Sequence, residues 1–295
     1  MLASLGNKTN MKQTCLLSVY DAVGCVIRRL PEAEPVRGVT SLDNHLFVLR
    51  GNKSSEQVEV YDINSYHLQH YLTVTGLGIA YDIVASAHNR CIYISDFSHN
   101  VHKIRKIASS GDTITQWPVN DYASGLSLSL THGVLVTCGD VRKIKEFSTD
   151  GQLLREVVLP DDVVSPRHSV QLSNGEFVVC HGPVHRVCLV SSDGQVVKSF
   201  GGPKGAGDQE MNVPARLAVD ENEFVFVVDS DNSCRGRVLL LSPSLTFLHQ
   251  VVSREQLTGC PQSVYLHLNR QHLYVADNDY EDDKCTAGRV VVFKV

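Results

Sequence analysis

A short apolar run ending on a polar residue recurs six times along the chain: FVLR from Phe47, YISD from Tyr93, LVTC from Leu135, FVVC from Phe177, FVVD from Phe226 and YVAD from Tyr274. Successive starts lie 46, 42, 42, 49 and 48 residues apart. Each run is preceded by a second strand-like segment, and these inner segments are VRGVTSL, YDIVASA, ASGLSLS, HSVQLS, ARLAVD and QSVYLHL. Each run is followed by a polar loop and a third segment: VEVYD, IRKI, IKEF, VCLV, VLLL and VVVF, starting at Val58, Ile104, Ile144, Val187, Val238 and Val290. Turn pairs such as Asp150-Gly151 and Asp193-Gly194 then lead into outer segments, LLREVVLP and VVKSF. Helical periodicity is not sustained in any window. A repeat of about 40–50 residues built from four short strands, here lettered a to d, predicts the blades of a β-propeller. No blade can bury its faces alone, so neighbours on both sides are required.

The expected fold is all-β: a six-bladed propeller of four-stranded antiparallel blades, at about 36–74, 81–119, 123–160, 166–202, 214–253 and 261–295. The last unit stops after strand c, while LLSVYDAVGCVIRRLP (16–31) matches the c-turn-d segment of the third unit. Residues 25–30 are therefore expected to close the ring as the missing outer strand, removing an exposed sheet edge. Residues 16–20 and 289–295 compete for the third-strand position of that blade. The polar run 1–13 is expected to be a flexible N-terminus, and 14–295 a single propeller.

Composition narrows the function classes. The 295 residues are 43% hydrophobic and 20% charged with a formal net charge of −5, which argues against a nucleic-acid-coating protein. The N-terminal run lacks the apolar core of a signal peptide, and no stretch approaches the ~20 apolar residues of a membrane helix. Nine scattered cysteines without a Cys-x-x-Cys pair fit a reducing, cytoplasmic setting. The sequons at Asn7 and Asn52 carry little weight without a signal peptide.

The fifth unit, 200–243, resembles an NHL repeat: Phe200-Gly201, the glycines Gly205 and Gly207, Asn212-x-Pro214, Asp220, Asp229, Asn232 and Arg237 occupy that pattern. The sixth unit repeats Pro261, Asp277 and Arg289, and the second keeps Asp96 and Lys103. The third and fourth units depart from it, with Cys138 and Cys180 at the Asp position, and the first places Arg50 there. The resemblance implies the same six-bladed fold. It is similar to the C-terminal propeller of TRIM-NHL proteins, but these residues include no RING, B-box or coiled coil, so a ubiquitin-ligase role is not carried over.

Candidate chemistry is sparse. Asp96 with Lys103, Asp229 with Arg237 and Asp277 with Arg289 flank the b–c loop of one blade each, and a salt bridge holding that loop is favoured over ligand contact. GGPKGAG (201–207) lacks the Gly-Lys-Ser/Thr and helix of a phosphate cradle and reads as a blade connection. CHGPVHRVC (180–188) offers zinc-like ligands, but strand alternation would splay them. DNDYEDDKC (277–285) lacks the EF-hand pattern and reads as an acidic rim. Cys234 and Cys285 lie in equivalent loops, paired only if the protein is secreted.

Three functions follow as expectations. The leading one is a non-enzymatic, monomeric module binding a protein or peptide on the face of the b–c and d–a loops, with Arg50, Phe97, Tyr122, Arg142 and Tyr280 as anchors. Single-stranded RNA binding, suggested by NHL relatives, would need a basic sector, and only Arg50, Lys53, Arg142, Lys143 and Arg186, with His181 and His185, could supply one. The other loop charges cancel, which disfavours it. A metal-dependent hydrolase or lyase would use the central channel, where Asp82, His168 and Arg216 start inner strands. That set is too mixed for a metal cage, so no catalytic residue, metal or cofactor is assigned.

Overall fold

A computed structural model describes residues 24–52, 55–231, 235–281 and 284–295, and contains no α-helix among them. Twenty-four strands form six four-stranded antiparallel sheets. The first blade is β2 (Val36–Leu42), β3 (His45–Asn52), β4 (Ser55–Asp62) and β5 (Leu68–Leu72). The second is β6 (Ile79–Ser86), β7 (Cys91–Ser98), β8 (Val101–Ile107) and β9 (Thr113–Pro118), and the third is β10 (Ala123–Leu128), β11 (Val134–Cys138), β12 (Lys143–Phe147) and β13 (Leu153–Val158). The fourth is β14 (His168–Gln171), β15 (Phe177–His181), β16 (Arg186–Val190) and β17 (Val196–Gly201), and the fifth is β18 (Val213–Val219), β19 (Val225–Ser230), β20 (Gly236–Leu241) and β21 (Phe247–Val252). The sixth joins β22 (Cys260–His267), β23 (His272–Glu281) and β24 (Lys284–Lys294) with β1 (Cys25–Arg29) from the other end of the chain.

Residues 289–295 thus occupy the third-strand position of the sixth blade, and β1 lies antiparallel beside them, Cys25 opposite Lys294 and Arg29 opposite Val291. Residues 1–13 and 16–20 lie outside the described residues.

The apolar runs follow from burial on both faces. Phe47 and Leu49 pack into a cluster shared with the second blade, whereas Leu46 and Val48 pack into one shared with the sixth. Each of the six core clusters among the described residues lies between two adjacent blades. A strand covered on both faces reads as a continuous hydrophobic run, which is why strand b was visible in the sequence. The c–d turns of the second, third and fourth blades place Gly111, Gly151 and Gly194 at φ of 94°, 87° and 94°, where a side chain is disfavoured.

Arginines staple the incoming connections of the first, second and fifth blades to their own blades. Asp229 accepts the Asn212 amide (2.7 Å) and pairs with Arg237 (3.0 Å), whose guanidinium also donates to the carbonyls of Ala206 and Glu210 (2.5 and 2.7 Å). Two expectations change here. The pair holds the d–a connection entering the blade rather than the b–c loop. In the second blade Asp96 takes Arg105 (3.1 Å), not Lys103, because only the longer forked side chain also reaches the carbonyls of Thr75 and Gly76. In the sixth, Asp277 accepts the amides of Thr258 and Gly259 (3.0 Å each), while Arg289 sits 4.0 Å from it and bonds more closely to Asp279.

Candidate functional site

Strands b end, and strands a begin, on the face carrying the b–c and d–a loops. In five blades strand a starts with a β-bulge, between Val36 and Gly38, Ala80 and Asp82, Ala123 and Gly125, Pro214 and Arg216, and Pro261 and Ser263. A bulge leaves one residue unpaired and re-aims it. Those residues, together with Arg167 before β14, are Arg37, Tyr81, Ser124, Ala215 and Gln262, and all six line a cavity of about 600 Å³ at the channel mouth.

One position further along each strand come Asp82, His168 and Arg216, which the structure brings together as a floor. The Arg216 Nε lies 3.4 Å from Asp82 Oδ2, and its Nη2 donates to the carbonyls of Ser124 (2.9 Å) and Tyr81 (3.3 Å). Asp82 Oδ2 accepts the Leu126 amide (2.8 Å) and Oδ1 the Ile83 amide (2.9 Å). His168 donates from Nε2 to the Leu126 carbonyl (2.9 Å), which makes Nδ1 the unprotonated nitrogen. Burial holds its imidazole down at about 4, against the upward pull of Asp82, so it stays neutral. Both Asp82 oxygens are spent on backbone amides. The trio ties the inner strands of the second, third, fourth and fifth blades together.

The mouth is basic on one side and aromatic on the other. Arg37, Arg167 and Arg216 line it together with one carboxylate, Asp140. Beside them Tyr81 and Tyr122 meet edge to face at 5.3 Å, His102 lies 5.2 Å from Tyr122, and Phe97 lies 4.7 Å from His102. Tyr122 is 39% exposed. Burial lowers the His102 imidazole and raises the Tyr81 hydroxyl. Tyr280 is half-buried near Arg37, its hydroxyl raised chiefly by burial.

The other anticipated residues are placed differently. Arg50 is fully buried, pairing with Glu59 (2.5 Å) and donating to the carbonyls of Pro31, Glu34 and Gly288. It cannot anchor a partner, because β3 runs on past it and the d–a connection closes over it. His181 is also fully buried, its Nε2 3.1 Å from Cys188 Sγ. Burial drives that imidazole down to about 4 and the thiol up to about 11, a neutral pair without a thiolate. Cys180 packs toward the fifth blade and Cys188 toward the third, so strand alternation does splay the cysteines of that segment. The remaining cations of the basic sector are matched by acids: Arg142 with Asp161 (2.6 Å), Lys143 with Glu156 (2.8 Å) and Arg186 with Asp162 (3.2 Å). His185 bonds the Asn212 carbonyl. Lys53, Asn232 and Cys234 lie outside the described residues.

Sequence reasoning passed over Arg37, Tyr81, Arg167 and Gln262. The signal was present one column before Asp82, His168 and Arg216 in the aligned inner strands.

No protein-family model matches the chain, and no curated protein matches it in sequence. Solved structures match in shape. The PQQ-bound aldose sugar dehydrogenase of Streptomyces coelicolor has a TM-score of 0.65 at 12% identity, over 92% of this chain and 97% of that one. A catalytically inactive virginiamycin B lyase from Staphylococcus aureus with quinupristin has a TM-score of 0.58 at 12% identity, covering 85% and 80%. Hydrazine synthase of Kuenenia stuttgartiensis has a TM-score of 0.59 at 14%, covering 83% and 74%. At such identities the likeness establishes a propeller and leaves chemistry open. No helix among the described residues is long and apolar enough to cross a membrane.

Proposed function

We propose that this propeller is a non-enzymatic recognition module, monomeric and cytoplasmic, that binds a peptide segment of a partner protein across the channel mouth. The observation that carries the reading is the open mouth itself, where a partly exposed aromatic patch (Tyr81, Phe97, His102, Tyr122) adjoins arginines. Aromatic and arginine side chains dominate binding energy at protein interfaces. A floor whose Asp82 and His168 are held by backbone groups suits a rigid platform better than proton transfer. RNA binding loses support because Arg142, Lys143 and Arg186 are each matched by an acid. An NHL-type origin is supported by what the motif residues Asp229 and Arg237 do, since they and the Asn212 amide secure the glycine-rich connection.

The test is selection from a displayed random-peptide library against the whole chain. Enriched peptides should lose about ten-fold or more in affinity with Tyr122→Ala or Phe97→Ala, as expected for aromatic anchors. Leu130→Ala, an exposed site on the opposite face, should leave them unaffected. Failure to enrich any peptide, or equal binding by all variants, would remove the reading.

A further inference from the structure

We propose that the channel mouth is an oxyanion subsite, in which Arg37 and Arg167, supported by Arg216, hold a carboxylate or phosphoryl group carried by the bound segment. The inference rests on the peptide reading only for the carrier of that group.

Charge matching elsewhere in the molecule makes the mouth stand out. Arg50, Arg105, Arg237 and Arg289 are each paired with a carboxylate inside the fold. Arg37 and Arg167 form no ion pair with any of the described residues, yet both line the same cavity. The Nε of Arg37 is buried without a hydrogen-bond acceptor, whereas that of Arg216 already has Asp82 Oδ2 at 3.4 Å. A buried donor left unsatisfied is costly, and a charged one more so, and an oxyanion held by the accessible part of the same guanidinium would offset part of that cost.

The Arg216 charge is already shared with Asp82, so it contributes less than the other two. Asn278 also lines the mouth, but both ends of its amide are spent on the Val36 backbone (2.9 Å each) and it closes the sixth blade onto the first. The single lining carboxylate, Asp140, accepts the Tyr122 amide at 3.2 Å and so belongs to the aromatic side. With Arg216 shared with Asp82, and Glu56 beside Arg37 raised to about 8 by burial, two guanidiniums against one lining carboxylate leave a concave site with excess positive charge at neutral pH. Its volume, about 600 Å³, admits an acidic side chain or phosphoryl group with its flanking backbone.

The experiment is a thermal-shift and calorimetric titration of the whole chain with sodium phosphate and with sodium citrate at fixed ionic strength, sodium chloride being the control. A ligand that binds only the folded state raises the melting temperature with its concentration. Stabilisation beyond chloride is expected. Arg37→Gln and Arg167→Gln should each weaken it by about ten-fold, equivalent to ~1.4 kcal/mol. Lys198→Gln, on an exposed outer strand, should change nothing. If either glutamine variant fails to fold, Arg37→Lys or Arg167→Lys keeps the charge and should still weaken binding by losing the forked contact. Preference for phosphate identifies a phosphoryl group, and preference for citrate a carboxylate.

No stabilisation beyond chloride, or stabilisation that survives both arginine substitutions, overturns the subsite. The two readings separate cleanly. Selected peptides that bind at Tyr122 without enriched Asp or Glu, with no anion effect, keep the peptide face and discard the subsite. Anion binding through Arg37 and Arg167 with no selected peptide does the reverse.

Discussion

Arg50 and Glu59 form in the first blade the ion pair that Asp96 and Arg105 form in the second, with the charges exchanged between strands b and c. In both blades the partners are nine residues apart and the guanidinium reaches back to carbonyls of the incoming connection. The device therefore needs one cation and one anion inside the fold, in either order.

Arg50→Met leaves Glu59 buried with only Tyr61 (2.9 Å) as a side-chain partner. Removing one member of a buried pair costs about 3–5 kcal/mol. The exchange Arg50→Asp with Glu59→Arg, which copies the second blade, should recover more than half of that loss in urea unfolding. A double variant no more stable than Arg50→Met would show that the order matters after all.

The blades were legible because strands b and c are covered on both faces, so their apolar runs repeat at the period of the fold. The mouth was not, because each blade gives it only a few residues near the ends of its inner strands, some 40–50 positions from the next. Nothing along the sequence therefore connects Arg37 with Arg167. Arg50 and His181 were misplaced for the opposite reason. A polar residue at the end of an apolar run reads as the start of a loop, whereas β3 continues through Asn52 and β15 through His181. Lys103 was preferred to Arg105 because it flanks the b–c loop with Asp96; it does lie directly opposite Asp96 in the sheet, but reach decides the contact.

Deleting residues 1–31 should lower the melting temperature by several degrees and promote association. β1 is exposed over most of its length, so its value lies in its backbone bonds to β24 and in neighbouring contacts: Gly24 N to Val251 O (2.6 Å) and Leu30 N to Val290 O (2.9 Å). At roughly 0.5–1.5 kcal/mol net per hydrogen bond, their loss amounts to several kcal/mol. It also bares the edge of β24, a template for pairing with other chains. Scanning calorimetry with light scattering checks both effects, and an unchanged melting curve would deny β1 a closing role.

His168 and His181 should make the fold acid-labile. Burial holds each imidazole at about 4 in the folded state, below the ordinary 6.5. A depressed value means that the unfolded chain takes up the proton first, so the stabilisation is complete above pH 6.5 and is lost as the pH falls toward 4. Each histidine adds up to about 1.4 kcal/mol per pH unit within that window. The variant His168→Gln with His181→Gln should show a visibly shallower decline in unfolding free energy between pH 6.5 and 4.5. An identical slope would place the acid sensitivity elsewhere.

Glu56 should act in the opposite sense on the alkaline side. Burial raises its carboxyl from 4.5 to about 8, with Asp96 and Glu34 pushing the same way and Arg37 and the Ala80 amide opposing. A raised value means that the folded state holds the proton more tightly. The stabilisation is therefore complete below pH 4.5 and is lost as the pH climbs through 8. Glu56→Gln keeps a neutral group of the same shape and should escape that loss. The melting-temperature advantage of the variant over the parent should thus widen from pH 5 to pH 8 and level off above it. Because the ionised carboxylate would offset Arg37, the parent should also bind phosphate more weakly at pH 9 than the variant does, after both are referenced to pH 7. A constant difference in melting temperature across pH 5 to 9 would mean that Glu56 is ionised throughout, its charge already balanced by Arg37.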